Sequence, residues 1–248
     1  MKIRLDELLV ARGLAESRTA AQKLILAGKI RVKDCMAPKA GNRYDDTIEI
    51  EKLEEERFVS RGGYKLEGAF EAFGFSVEGL SCLDVGASTG GFTDCLLQHG
   101  AHRVAAVDVG RDQLHPRLIA DTRVIPITPF NARYLTASDL PFIPDFAVCD
   151  VSFISLRLIL PPMAETLAPG GGIVTLIKPQ FEAGREHVGK GGVVRDETVR
   201  LAVVAAIHQF GTQLGLSWEG VATSPITGPK GNVEYTAYWR KCQNIPIT

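Results

Sequence analysis

No two cysteines of this sequence are spaced as CxxC. The five present, Cys35, Cys82, Cys95, Cys149 and Cys242, are odd in number and widely scattered. That argues against a disulfide framework and against a zinc site, and it fits reduced thiols in a cytoplasmic protein. The five histidines show no metal-ligand spacing either, so no metal centre is expected. No apolar run approaches the roughly 18 residues that a membrane helix needs. The N-terminal MKIRLDELL mixes charges into its leucines, unlike a signal peptide. Neither sign of charge is in excess: the net charge is −1 with 23% charged residues. Charge must therefore be read segment by segment. Internal repeats and low-complexity tracts are missing too. What remains, 248 residues of which 45% are hydrophobic, suits a soluble globular protein of one large domain or one domain with a small companion.

The first segment is locally basic. Residues 1–43 hold ten Lys and Arg against four Asp and Glu. Leu5, Leu8, Leu9 and Val10 have helical spacing, and Gly13 stops that helix. Ser17 is placed to cap a second helix over 18–27, with Ala20, Ala21, Leu24 and Ile25 as its apolar face and Gly28 at its end. KIRVKD and TIEIEK alternate as short strands. Arg4, Arg18, Lys23, Lys29, Arg31 and Lys33 fall around the two helices and the turn, a cluster suited to a phosphate backbone. Residues 51–57, EKLEEER, carry charge without an apolar face and read as a linker.

A second domain begins with SRGGYKLEGAFEAFGF, a helix with Leu66, Ala69, Phe70 and Phe73 on one side. From Leu80 onward strand and helix patterns alternate: strands at LSCLDVG, HRVAAVDVG, RVIPIT, DFAVCDVS and GGIVTLIK, a helix interrupted near its prolines at LRLILPPMAETLAPG, and a long helix at DETVRLAVVAAIHQFGTQLG. Such alternation of apolar strands with helices predicts an α/β fold: a doubly wound, mostly parallel, seven-stranded Rossmann-like sheet. Only the short TGPKG separates the last two strands, LSWEGVATSPI and NVEYTAYWRK, so that pair has to be antiparallel.

LDVGASTGGFT lies between a strand and a helix, where open α/β sheets bind ligands. Glycines there let the backbone turn and approach a ligand closely. Asp108 ends the next strand 22 residues after Gly86, the place of the acidic residue that holds a ribose diol. The dinucleotide pattern GxGxxG fails at its second glycine, which is Ser88 in the row Gly86, Ala87, Ser88, Thr89, Gly90, Gly91. Asp84 would sit badly beside a pyrophosphate and well beside a cation. S-adenosylmethionine has a sulfonium, an ammonium and a ribose diol but no phosphate, so it is preferred over NAD; with no GK[ST], a P-loop is excluded. Phe92 completes the candidate cofactor loop.

Three further strand ends carry charge. Asp150 follows FAVC, Lys178 follows IVTLI, and Glu234 stands near the start of the last, antiparallel strand. All three are expected at one crevice. Lys65 lies in the first helix of the domain, and the sequence does not place it. Two lysines and two carboxylates could promote methyl transfer to a hydroxyl. Lys178 is read as the base, Lys65 as its tuning or hydroxyl-positioning partner, and Asp150 and Glu234 as the groups that orient the amines.

With those residues in view, the chain resembles the TlyA family, in which an N-terminal RNA-binding domain of the ribosomal-protein S-four type is joined to an FtsJ-like methyltransferase domain. RLDELLVARGLAESRTAAQKLILAGKIRV is similar to the first. FVSRGGYKLEGAFEAF, CLDVGASTGGFTDCLLQHGA, CDVSFISL, LIKPQFE and GPKGNVEY are similar to blocks of the second. The resemblance implies domains at 1–56 and 61–248 with a linker about 51–60. It also implies 2′-O-methylation of cytidine in ribosomal RNA from S-adenosylmethionine, with ribosomal RNA or a ribosomal subunit as partner, no membrane partner, and a catalytic tetrad at Lys65, Asp150, Lys178 and Glu234. Cofactor positions implied by it are Gly86, Ser88, Gly90, Gly91, Asp108 and, around the adenine, Asn131; Asp84, Phe92 and Asp150 join them, and Arg61 joins the RNA-contacting cations. The run 182–196 reads as a substrate loop or as a plain surface connection. Because the chain starts almost at the RNA-binding helix and little follows the last strand, the short type that modifies the large subunit is expected, with modification of the small subunit as well as the alternative. Two other readings stand beside the enzyme: a non-catalytic RNA-binding protein and a membrane-active haemolysin.

Overall fold

The computed structural model describes residues 2–33, 35, 38–53, 56–228 and 230–243, and it divides into two compact units, Met1–Arg57 and Phe58–Thr248.

The first unit runs β1 (Lys2–Arg4), α1 (Leu5–Ala11), α2 (Arg18–Leu26), β2 (Ile30–Val32), β3 (Arg43–Asp45) and β4 (Ile50–Lys52). Helical periodicity gathers Leu5, Leu9, Ala21 and Ile25 against Ile30 and Val32 in a small core. Ser17 caps α2 by accepting the Ala20 N–H at 3.2 Å, and Gly28 leaves the helix with φ 68°. β1 pairs antiparallel with β3, and β2 with β4. The linker read from charge alone therefore starts too early. Glu51 and Lys52 are strand residues facing Arg31 and Ile30, because backbone pairing needs no apolar face on an edge. Glu54 and Glu55 of that run lie outside the described residues.

The second unit holds α3 (Gly62–Phe73), β5 (Ser81–Val85), α4 (Gly91–Gln98), β6 (Arg103–Val107), α5 (Pro116–Ile119), β7 (Val124–Ile127), β8 (Phe146–Cys149), α6 (Leu160–Thr166), β9 (Gly172–Ile177), α7 (Pro179–Glu182), α8 (Glu197–Gln213), β10 (Leu216–Thr223) and β11 (Tyr235–Lys241). Its seven strands lie in the order β10-β11-β9-β8-β5-β6-β7. β5 to β9 are parallel, and β11 is antiparallel to both β9 and β10. The last strand thus slips between the two before it, which chain order alone did not show. Residues of the sheet are buried on both faces. Leu83, Val85, Ala147 and Ile173 pack with Leu160, Met163 and Ile207, whereas Cys82, Val104, Val148 and Val174 pack with Leu66, Phe70 and Leu96. The prolines do not interrupt α6. Pro161 and Pro162 occupy its first turn, where the missing N–H groups cost nothing. Within RDQLHPRLIA only the four residues of α5 are helical. Among the described residues, no helix is long and apolar enough to cross a membrane.

Candidate active site

The strand order reverses at β5, whose neighbours β6 and β8 lead away in opposite directions, and this opens a crevice at the strand ends. β8 delivers Asp150 there and β9 delivers Lys178. Tyr235 of β11 is paired with Ile177, so the antiparallel register brings Glu234, one residue before the strand, beside Lys178, one residue after its neighbour. Lys65 arrives from α3, on the helix face that also buries Leu66, Ala69 and Phe70.

The four side chains that the sequence singled out meet. Lys65 Nζ donates to Glu234 Oε2 at 2.7 Å and is 3.6 Å from Asp150 Oδ2. Lys178 Nζ is 2.5 Å from Asp150 Oδ1 and donates to Ser152 Oγ at 2.8 Å. Gln180 Nε2 donates to the other Glu234 oxygen, Oε1, at 3.1 Å. Asp150 consequently bridges the two ammonium groups. Lys65, Lys178 and Glu234 are buried, so alternating charge offsets much of the desolvation cost that each ion would carry alone.

Two adjoining cavities share Gly86, Ser88, Asp150 and Ser152. The first, about 460 Å³, is lined by Lys65, Lys178, Arg61, Gly91 and Phe92. The second, about 500 Å³, is lined by Asp108, Asn131 and Phe153. Gly86 has φ 83°, and a Cβ there would lie 2.7 Å from the Asp150 carbonyl oxygen, so bare backbone is required where the two walls touch. Asp108 shapes the loop opposite: Oδ2 accepts the Ser88 N–H at 2.8 Å and Oδ1 the Gly110 N–H at 2.7 Å. Asn131 Oδ1 accepts the Arg133 N–H at 3.2 Å.

Other expected residues have different surroundings. Gly90 serves packing: a Cβ there would strike Leu118 at 2.1 Å. Asp84 is fully buried, accepts the Thr93 hydroxyl at 2.6 Å and lines neither cavity. Burial raises its carboxyl to about 7, the Thr93 hydrogen bond opposes that rise, and the charge of Asp150 adds to it. Direct contact between Asp84 and a cationic ligand, the sequence expectation, is not what this placement offers. The apolar run LSCLDVG marks Asp84 as a strand residue, but only the sheet shows that it is sealed inside.

The basic cluster of the first unit divides in two. Asp6 is buried and accepts from Arg4 at 3.0 Å, Arg18 at 3.3 Å and Gln22 at 2.8 Å, and the Arg4 hydrogen bond holds its carboxyl far below the usual range. Arg31 pairs with Glu51 at 2.9 Å and Lys33 with Glu49 at 3.2 Å. Among the described residues no ion pair engages Lys23 or Lys29. Four of the six cations grouped as phosphate contacts thus already have carboxylate partners.

Sequence reasoning missed Ser152, Gln180 and Phe153. Phe153 is 91% exposed, has a left-handed backbone with φ 64° and lies 5.1 Å from the Phe181 ring. A non-glycine residue in that conformation is a recurrent mark of functional loops. Glu182 holds the segment from behind, accepting Ser155 Oγ at 2.6 Å and the Leu156 N–H at 2.7 Å. The only available signal was adjacency to Asp150 and Lys178.

Known proteins are similar to this chain over most of its length. Residues 58–241 match the FtsJ-like methyltransferase family and residues 3–32 the S4 domain. A Mycobacterium tuberculosis protein named 16S/23S rRNA (cytidine-2′-O)-methyltransferase TlyA is 45% identical over 96% of this chain and 90% of its own length. Hemolysin A of Brachyspira hyodysenteriae is 45% identical over 96% of this chain and 99% of its own. A solved structure from Streptococcus thermophilus superposes with a TM-score of 0.75 at 44% identity, covering 98% of this chain and 90% of that one. The chain belongs to the TlyA family of FtsJ-like methyltransferases with an N-terminal S4 domain.

Proposed function

From that membership and the tetrad geometry we propose that the chain is a ribosomal-RNA 2′-O-methyltransferase that modifies a cytidine ribose, with S-adenosylmethionine as donor. The observation that carries the reading is the bridge from Lys65 through Asp150 to Lys178, set where the two cavities adjoin.

The residues present fit that donor. Gly86 leaves bare backbone at the junction, Asp108 offers carboxylate oxygens to a ribose diol, and the anionic walls at Asp108 and Asp150 favour a cation over a phosphate. When bound, the cofactor supplies a methyl group activated by a sulfonium. The protein then has to position a ribose 2′-hydroxyl and take its proton. Lys178, whose partners are one carboxylate and a neutral hydroxyl, is assigned as proton acceptor, a role it fills once its own ammonium proton has left to solvent. Lys65, flanked by two carboxylates, orients the hydroxyl oxygen. Glu234 and Asp150 hold the amines, and Gln180 holds Glu234. Much of the acceleration is positional. Phe153, exposed at the mouth beside Phe181, suits stacking against a nucleobase drawn out of its helix. The S4 unit supplies further RNA affinity through Lys23 and Lys29. The name of the tuberculosis relative favours cytidine and ribosomal RNA.

The test is methyl transfer from labelled S-adenosylmethionine to ribosomal RNA or subunits, with ribose methylation mapped in cells with and without the gene. A methylated cytidine that disappears with the gene supports the proposal. Identical maps, together with no transfer in vitro, would refute it.

A further inference from the structure

Toward the C-terminal end of α4, α3 and α4 bring together three side chains that the tetrad does not use. Cys95 and His99 stand one turn apart on α4 and its C-terminal cap, and Glu67 faces them from α3. One ligand atom from each, the Cys95 sulfur, a His99 ring nitrogen and a Glu67 oxygen, lie within 4.8 Å of one another. His99 Nε2 is 2.7 Å and Cys95 Sγ 3.7 Å from Glu67 Oε2.

We propose that Glu67, Cys95 and His99 form a site for a thiophilic divalent metal ion of the zinc class. Metal bonds of about 2.0 Å to nitrogen and oxygen and about 2.3 Å to sulfur, at tetrahedral angles, separate ligands by roughly 3.3–3.6 Å. Two edges of the triangle seen here measure 2.7 and 3.7 Å and the third is within 4.8 Å, so shifts of about 1 Å bring it to that size. Its short edge is the imidazole–carboxylate hydrogen bond, which an ion would replace. A thiolate with an imidazole selects zinc-like ions over magnesium or calcium. The His99 ring is stacked on Phe70, with centroids 3.8 Å apart and planes 5° apart, so the direction of Nε2 is set before any ion arrives. Cys95 is fully buried, while the His99 and Glu67 side chains are 28% and 17% exposed. The fourth position therefore opens to water, and the ion exchanges with solvent. On binding, Cys95 releases its thiol proton to water and the sulfur bonds the ion. The site joins α3, which carries Lys65, to α4, which follows the glycine loop, so occupancy ties together two elements of the crevice.

The test uses the full chain carrying Cys242→Ser, since Cys242 is exposed. The protein is kept reduced, stripped with a chelator and titrated with Co²⁺, then Zn²⁺. The expected result is one equivalent of cobalt with the visible bands of a four-coordinate ion and a near-ultraviolet thiolate charge-transfer band, displaced by one equivalent of zinc. Cys95→Ala removes the charge-transfer band. His99→Gln and Glu67→Gln, at partly exposed positions and checked for folding by circular dichroism, each weaken binding at least about tenfold. Zinc raises the melting temperature of the parent and not of these variants. Absence of the charge-transfer band in the folded parent overturns the proposal, as do a band and affinity unchanged in His99→Gln and Glu67→Gln. Either result leaves an ordinary histidine–glutamate hydrogen bond beside a packed thiol.

Discussion

Glu234 accepts a hydrogen bond of 2.7 Å from Lys65, a residue 169 positions earlier in the chain. Both are buried, Glu234 almost completely, at 1% exposure. Withdrawing a carboxylate and an ammonium from water costs several kcal/mol for each ion. The arrangement holds because Asp150 and Lys178 continue the alternation of sign and because Ser152 and Gln180 add neutral hydrogen bonds. A network linked in this way holds each amine in one position, which is what the proposed methyl-transfer site requires of its proton acceptor.

Replacing Lys178 with methionine keeps the length of the side chain and removes the amine. Transfer to RNA is expected to fall about 10²- to 10⁴-fold, the usual range for loss of a general base. Affinity for S-adenosylmethionine, measured by calorimetry, is expected to stay near that of the parent. Turnover at the parental rate would take Lys178 out of the proton path.

Phe153 has little to lose in the fold, since it is 91% exposed. Phe153→Ala should leave the melting temperature almost unchanged. If the ring stacks on a base, its removal costs about 1–3 kcal/mol of RNA interaction, or roughly 5- to 150-fold in kcat/KM for RNA. Phe153→Trp should restore most of it. Equal activity of the alanine variant would show that the ring meets no nucleotide.

Asp84 links pH to stability. Burial raises its carboxyl to about 7 in the folded protein, against about 3.9 in an unfolded chain. The folded state therefore holds the proton more tightly. The stabilisation is complete below the unfolded value and is lost as pH rises through about 7. Urea unfolding of Asp84→Asn should show a flatter decline of stability between about pH 4 and 7 than the parent. A decline as steep as the parent's would mean that another group is responsible.

The cations of the S4 unit should separate into two classes. Neutralising Lys23 and Lys29, which flank Leu26, itself 91% exposed, should weaken RNA binding and lower the salt slope by about one for each phosphate no longer neutralised. Arg4→Ala and Arg18→Ala should act mainly through Asp6, whose hydrogen bonds from Arg4, Gln22 and Arg18 depress its carboxyl. Such a group stabilises above its unfolded value and loses that contribution as pH falls. Those variants should therefore melt at lower temperature at neutral pH and resemble the parent more closely in acid. A salt slope that responds to the arginines and not to the lysines would reverse the assignment.

The alternation of apolar strands and helices made the methyltransferase-type sheet legible, since each element carries its own period and its own glycine or serine boundary. LDVGASTGGFT and the charges at Asp150 and Lys178 located the crevice, because parallel strands in an open sheet end on one side. Other features depend on partners distant in sequence. Nothing local shows that β11 lies between β9 and β10, that Asp6 engages Arg4 and Arg18, or that Glu67 faces Cys95 and His99. Asp84 and Asp108 look alike as strand-borne acids, yet one is sealed beneath α4 and the other shapes the cavity rim.

By itself, then, the chain's order of residues determined its elements, the glycine turn and the types of charge brought to the strand ends, for these follow from short-range sterics and periodicity. The tertiary structure alone decided which charges meet, which cations have carboxylate partners and which aromatic ring faces solvent. Those outcomes depend on sheet order and helix packing, and on the cost of leaving a buried charge without a partner.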